Sequence, residues 1–195
     1  MQGFDKLSPN GESESGVNAG RKMSSVEHPR RLLLLLMVVL VGLNLRPFLT
    51  ATGPLAGGIR ADTGMTFQTM SLLTLVPMAL MGVFAFAGPA LEQRIGARRA
   101  MIAALAVMAA GSAARLFVSS AGELVATAAL IGVGVAIVQA VFPGILKRHF
   151  AGQLAVIMGL YSATLMGGGA VGARLSPLIA ALAGGWRVGL GWLVA

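Results

Sequence analysis

The chain has no cysteine, which excludes disulfides and thiolate metal sites. Its two histidines, His28 and His149, stand outside the apolar segments, so no histidine-based metal cluster is expected. Acid is scarce as well, with Asp+Glu at 7 against Lys+Arg at 15. Charged residues make up only 11% of the chain, where a soluble domain carries about 25%. Hydrophobic residues reach 56% of 195 residues, more apolar surface than a soluble fold of this length can hide. The basic excess does not point to nucleic acid. Its residues sit at the ends of apolar segments rather than along one solvated face.

What is present is a series of long apolar runs. Residues Met1 to Pro29 are polar and without periodicity, and the stretch 1–31 is expected to be a disordered tail. It is not a signal peptide, because the apolar stretch after it is too long and carries no small-residue cleavage site. A hydrocarbon core of about 30 Å needs about 20 apolar helical residues. Five segments meet that length, at about 32–57, 67–91, 100–118, 124–146 and 154–183. A sixth starts at Trp186 and reaches only Ala195, so the chain is expected to be a fragment or a truncated reading frame. Residues 32–195 are expected to form one transmembrane helical bundle.

The loops differ in charge. Arg21, Lys22, Arg30 and Arg31 precede the first span; Arg94, Arg98 and Arg99 follow the second; Lys147 and Arg148 follow the fourth. The alternate loops carry only Arg60 with Asp62, then Glu123, then Arg187. Lys and Arg favour the cytoplasmic side, so the N-terminus is expected inside, in a plasma (inner) membrane crossed several times. Prolines within the spans (Pro47, Pro54, Pro77, Pro143, Pro177) and many glycines are tolerated where neighbouring helices satisfy the freed carbonyls. Residues 167–172 match G-x-G-x-x-G, but no strand precedes them and no acid follows at the required distance, so close helix packing is expected there.

The stretch Gly88-Pro89-Ala90-Leu91-Glu92-Gln93-Arg94-Ile95-Gly96-Ala97-Arg98-Arg99 resembles the signature loop of the major facilitator superfamily: glycine, an acid, Arg-x-Gly, then paired basics. The resemblance implies an all-α membrane fold, here the N-terminal six-helix repeat cut at the start of helix 6. It also implies a gating role for Glu92, Gln93, Arg94, Gly96, Arg98 and Arg99. Counted back from Gly96, Gln93 stands where the acid belongs and Glu92 comes one residue early, which puts the acid latch in question. Asn44-Leu45-Arg46-Pro47, Gly111 with Arg115, Pro143 to Phe150, Gly159-Leu160-Tyr161 and Trp186-Arg187 are similar to the branch of cyanate permeases and nitroimidazole transporters. That branch implies secondary transport of a small solute by alternating access, without a cofactor, and a partner repeat of six further helices.

Two arginines can be weighed without any family. Arg46 and Arg115 lie about 22–24 Å into their spans at 1.5 Å per residue, and no acid stands inside a span to neutralise them. Each costs about 2.5–3.5 kcal/mol if central. A cation in a water-accessible cavity is a natural anion site through its planar fork. Snorkelling to the outer interface is the other reading of Arg115. Asn44, Gln139 and Tyr161 either bond between helices or line the site beside the arginines. The expected substrate is a small anion such as cyanate, with a neutral heteroaromatic drug as the alternative. An enzyme is not expected, because no acid or histidine stands at membrane depth. A truncated chain without transport activity is the third reading.

Overall fold

The computed structural model describes residues 31–192. The expected disordered tail, apart from Arg31, and the last three residues of the sixth segment lie outside the described residues. The chain divides into two compact units, Met1–Val38 and Val39–Ala195. Of the first, residues 31–38 are described and are helical.

Among the described residues every regular element is a helix. Helix α1 covers residues 31–45. It is followed by α2 (Pro47–Thr50), α3 (Thr52–Thr63), α4 (Phe67–Ile95), α5 (Ala97–Ala114), α6 (Ala121–His149), α7 (Leu154–Ala183) and α8 (Trp186–Gly191). Short 3-10 turns, Arg115–Phe117 and Ala151–Gln153, close α5 and open α7. Five stretches, Arg31–Thr50, Phe67–Gly88, Ala97–Phe117, Ala121–His149 and Ala151–Ala183, are long and apolar enough to cross a membrane. Satisfying backbone groups within each helix is what hydrocarbon demands.

The helix ends follow from local chemistry. Thr66 caps α4 by accepting from the Thr69 amide at 3.2 Å. Ser120 and Glu123 form a reciprocal capping box at the start of α6, which satisfies two otherwise orphan amides. Gly96 joins α4 to α5 in a single residue at φ +81°, a left-handed conformation that L side chains rarely adopt. Several helices run beyond the expected spans: α5 starts at Ala97, α6 ends at His149 and α3 reaches Thr63.

Small residues set the packing directions. A Cβ on Gly132 would meet Pro77, and one on Gly88 would collide with Ala140, so α4 and α6 run in the same direction. Gly111 faces Ile131 while Gly134 faces Met108 and Ala104, so α5 runs opposite to α6. Gly42 faces Thr164, Gly168 faces Leu43 and Gly172 faces Pro47, so α7 runs parallel to the end of α1. Such close approaches are how helices associate where lipid removes the hydrophobic drive.

The turns at Gly64, Val118–Ser120 and Gly184 therefore share one end of the bundle, and Gly96 and Phe150 share the other. A buried apolar cluster that includes Leu55, Ile59, Met65, Leu73, Val118, Leu124, Trp186 and Leu190 fills the Gly184 end.

Candidate functional site

The first apolar segment, expected as one helix over 32–57, is interrupted at Arg46. Proline has no N–H, so Pro47 cannot bond to the Leu43 carbonyl four residues back. The Leu49 and Thr50 amides both turn to the Arg46 carbonyl, at 3.1 and 3.3 Å. The freed backbone lies on a glycine face of α7. A Cβ on Gly168 would collide with the Leu43 carbonyl, and one on Gly172 would come within 2.5 Å of the Pro47 Cα. Gly169 sits beside Arg46, whose Cβ would be 3.6 Å from a Cβ built there. Arg46 is half-buried and Asn44 is exposed.

Tyr161 lies two turns before Gly169 on the same helix. Its side chain is 6% exposed, and among the described residues its hydroxyl has no hydrogen-bond partner. The ring is held against Phe142 of α6, with centroids 5.3 Å apart and planes inclined by 53°, a tilted arrangement typical of aromatic pairs. Gln139 stands one turn before Phe142 on α6 and is half-buried. A cleft of about 540 Å³ opens past the helix break, lined by Thr50, Thr52, Ser71 and Thr74 together with Leu49, Met70, Gly53 and Ala173. The Thr52 hydroxyl donates to the Leu49 carbonyl at 2.6 Å and the Ser71 hydroxyl to the Gln68 carbonyl at 2.7 Å, which leaves their oxygens as acceptors.

Arg115 belongs to a different neighbourhood. It sits in the turn that closes α5, and the residues beside it are wedged between two helices. Gly111 meets Ile131 of α6, and Leu116 meets Gly191 of α8. Its side chain is 0% exposed and does not emerge at the surface. Nε, Nη1 and Nη2 all lack a partner among the described residues. A buried donor group left unpaired is costly, and a charged one more so.

Two polar ties lie at the ends of the bundle. At the Gly184 end the Asp62 carboxylate accepts from Trp186 Nε1 at 2.8 Å and from Arg187 Nη1 at 3.4 Å. Arg187 Nε donates to the Val118 carbonyl at 2.7 Å, and its guanidinium lies 4.5 Å from the Trp186 ring centroid. At the Gly96 end Glu92 is ion-paired with Arg148. Gln93, Arg94, Gly96, Arg98 and Arg99 are exposed around that turn. Phe142, Asp62, Trp186 and Arg148 were not singled out as site residues from the sequence. Each acts through a partner far along the chain, and no local spacing marks such a pair.

Residues 30–195 match the model of the Major Facilitator Superfamily. The chain is 41% identical over 159 residues to the cyanate transport protein CynX of Escherichia coli, covering 82% of this chain and 41% of that protein. It is 30% identical to the uncharacterized transporter YycB of Bacillus subtilis, over 77% of this chain and 37% of that one. It is 29% identical to the 2-nitroimidazole transporter of Escherichia coli, over 84% of this chain and 42% of that one. The chain thus spans about two fifths of the length of these relatives. With the apolar helices, the parallel and antiparallel packing and the signature turn at Gly96 all in place, the chain belongs to the major facilitator superfamily.

Proposed function

We propose that this chain forms one side of the solute path of a secondary active transporter, and that its substrate is a small anion such as cyanate. The observation that carries the reading is Arg115: a guanidinium wholly removed from solvent, with no partner among the described residues. A cation so placed is best explained by an anion that visits it or a counter-charge from elsewhere in the assembly. Arg46, at the helix break, supplies a second fork nearer the middle of the bundle, and Asn44, Gln139 and Tyr161 supply neutral hydrogen-bonding groups. The name of the cyanate transport protein supports the same substrate class.

In this reading the path alternates between inward- and outward-open states around the middle of the bilayer, and a second six-helix repeat supplies the opposite wall. The Gly96 end faces the cytoplasm across an inner membrane, because Arg94, Arg98, Arg99, Lys147 and Arg148 stand in its loops; by the same charge rule the basic N-terminal segment is cytoplasmic. Residues Glu92 to Arg99 gate that side. A second reading, export of a neutral heteroaromatic compound, has the named 2-nitroimidazole transporter and the Tyr161–Phe142 ring pair in its favour.

The test is uptake of labelled cyanate into liposomes by the chain reconstituted together with a six-helix partner half. Saturable uptake that weakens about tenfold or more in Arg46→Ala supports the anion reading, since a charge-assisted hydrogen bond is worth about 1.5–3 kcal/mol. Unchanged anion affinity in a well-inserted Arg46→Ala protein favours the neutral exporter.

A further inference from the structure

The helix break and the aromatic pair describe a shape as well as a charge. Arg46 stands beside Gly169, two turns of α7 from Tyr161, a separation that a long arginine side chain and a small solute can bridge together. The Tyr161 hydroxyl is buried, and among the described residues nothing accepts its proton. The ring that bears it cannot move away freely, because Phe142 is set against it. Three elements thus lie along one stretch of α7: a planar cationic fork beside Gly169, a single O–H donor on Tyr161, and a wall of two aromatic rings. Among the described residues the acids Asp62, Glu92 and Glu123 lie in the first or last turn of their helices, away from these donors.

Resting on the transport reading and narrowing it, we propose that Arg46, Tyr161 and Phe142 form a subsite selective for small linear or planar π-conjugated solutes with a terminal acceptor atom. The fork and the hydroxyl hold the terminal acceptor, and the body of the solute lies along the rings. Flat π-systems gain offset or edge contacts with such a wall. A tetrahedral dianion has no flat face to offer and must shed more water to reach the same donors. One site then accommodates both an anion of cyanate type and a flat heteroaromatic bearing a polar substituent.

The experiment is competition binding to the full-length transporter that contains this chain, in lipid nanodiscs. Labelled cyanate is the probe; azide, nitrate and sulfate are the competitors. Azide and nitrate are expected to displace cyanate at least tenfold better than sulfate. Tyr161→Phe keeps the ring and the pairing with Phe142 but removes the donor. Its cyanate affinity is expected to fall about tenfold. Phe142→Leu keeps the site apolar but removes one ring, and it is expected to narrow the preference over sulfate. Wild-type cyanate affinity in a Tyr161→Phe protein of unchanged melting temperature overturns the subsite and leaves the transport reading standing. Should Tyr161→Phe fail to fold, an unaltered preference in Phe142→Leu overturns it equally. A wild-type protein that binds none of these anions and no nitroimidazole overturns both.

Discussion

Arg148 of α6 donates to the carboxylate of Glu92 of α4 across 56 residues of sequence, which ties together the ends of two helices that run in the same direction. Both residues sit in the last turn of their helices. Arg148 is well placed against the negative end of the α6 dipole, and Glu92 is poorly placed at the end of α4, so the pair offsets a local conflict. The Glu92 carbonyl also accepts from the Gly96 amide at 2.9 Å. One residue therefore supports both the turn and the tie. The Arg148 side chain is 62% exposed, and an exposed pair is worth about 0–1 kcal/mol. Glu92→Gln is accordingly expected to leave the melting temperature nearly unchanged while increasing thiol-reagent access to a cysteine placed at position 93. Equal access in both proteins would mean that the tie has no part in gating.

Arg115 carries an expectation of opposite signs. Replacing buried ionic groups with apolar residues of similar size is often neutral or stabilising by about 1–4 kcal/mol. Arg115→Met is expected to raise the thermal midpoint of the full-length transporter and to weaken, without abolishing, its stabilisation by added cyanate, since the subsite at Arg46 and Tyr161 remains. Arg115→Lys, which keeps charge but loses the planar fork, should retain more of that stabilisation. A destabilised Arg115→Met protein would indicate a structural counter-charge instead of a visiting anion.

Adjacent glycines on α7 should respond differently to alanine. At Gly168 the new methyl meets the backbone carbonyl of Leu43, whereas at Gly167 the nearest atom is Leu43 Cδ2 at 3.8 Å. Overpacking costs about 1–3 kcal/mol, and Gly→Ala in a helix otherwise gains up to about 1 kcal/mol. Thermal unfolding in detergent should show Gly168→Ala destabilised and Gly167→Ala neutral or stabilised. Equal midpoints for the two would refute the close approach of α7 to the helix break.

The tie at the Gly184 end can be read by fluorescence. The chain has two tryptophans; in a Trp192→Phe background Trp186 reports alone. Trp186 is 6% exposed and donates to Asp62. Asp62→Asn keeps an acceptor and should leave the emission nearly unchanged, whereas Asp62→Ala should shift it to the red as the indole gains water. Identical spectra for all three would show that Asp62 does not hold the indole.

The apolar segments were legible because hydrocarbon imposes a minimum length, but an apolar run marks the hydrocarbon and not the helix. Charged ends cost nothing in water, so α6 continues through Lys147, Arg148 and His149, and α3 through Arg60 and Asp62 to the turn at Gly64. The break at Arg46 was not foreseen, because Pro47 was read as a residue the span could tolerate. Its position against Gly168 and Gly172 was not readable either, since helical spacing says nothing about which neighbour a face will meet. Arg46 and Arg115 were both singled out by their expected depth, yet their surroundings differ: one lies beside the α7 glycines, the other in the closing turn of α5 between α6 and α8. The partners of Glu92 and Asp62 escaped notice because each lies more than fifty residues away. The early position of Glu92 relative to Gly96 put a latch in question, but in three dimensions its carboxylate still meets a guanidinium.

The contact between Gly168 and the Leu43 carbonyl has a genetic consequence. Most packing conflicts can be relieved by a compensating change in the opposing side chain, which is how second-site suppressors commonly arise. Here the opposing atom is main chain, and every amino acid at position 43 presents the same carbonyl. Suppressors of Gly168→Ala are therefore expected to be absent at Leu43 and to gather at Pro47, where restoring an N–H would redirect that carbonyl back into the helix.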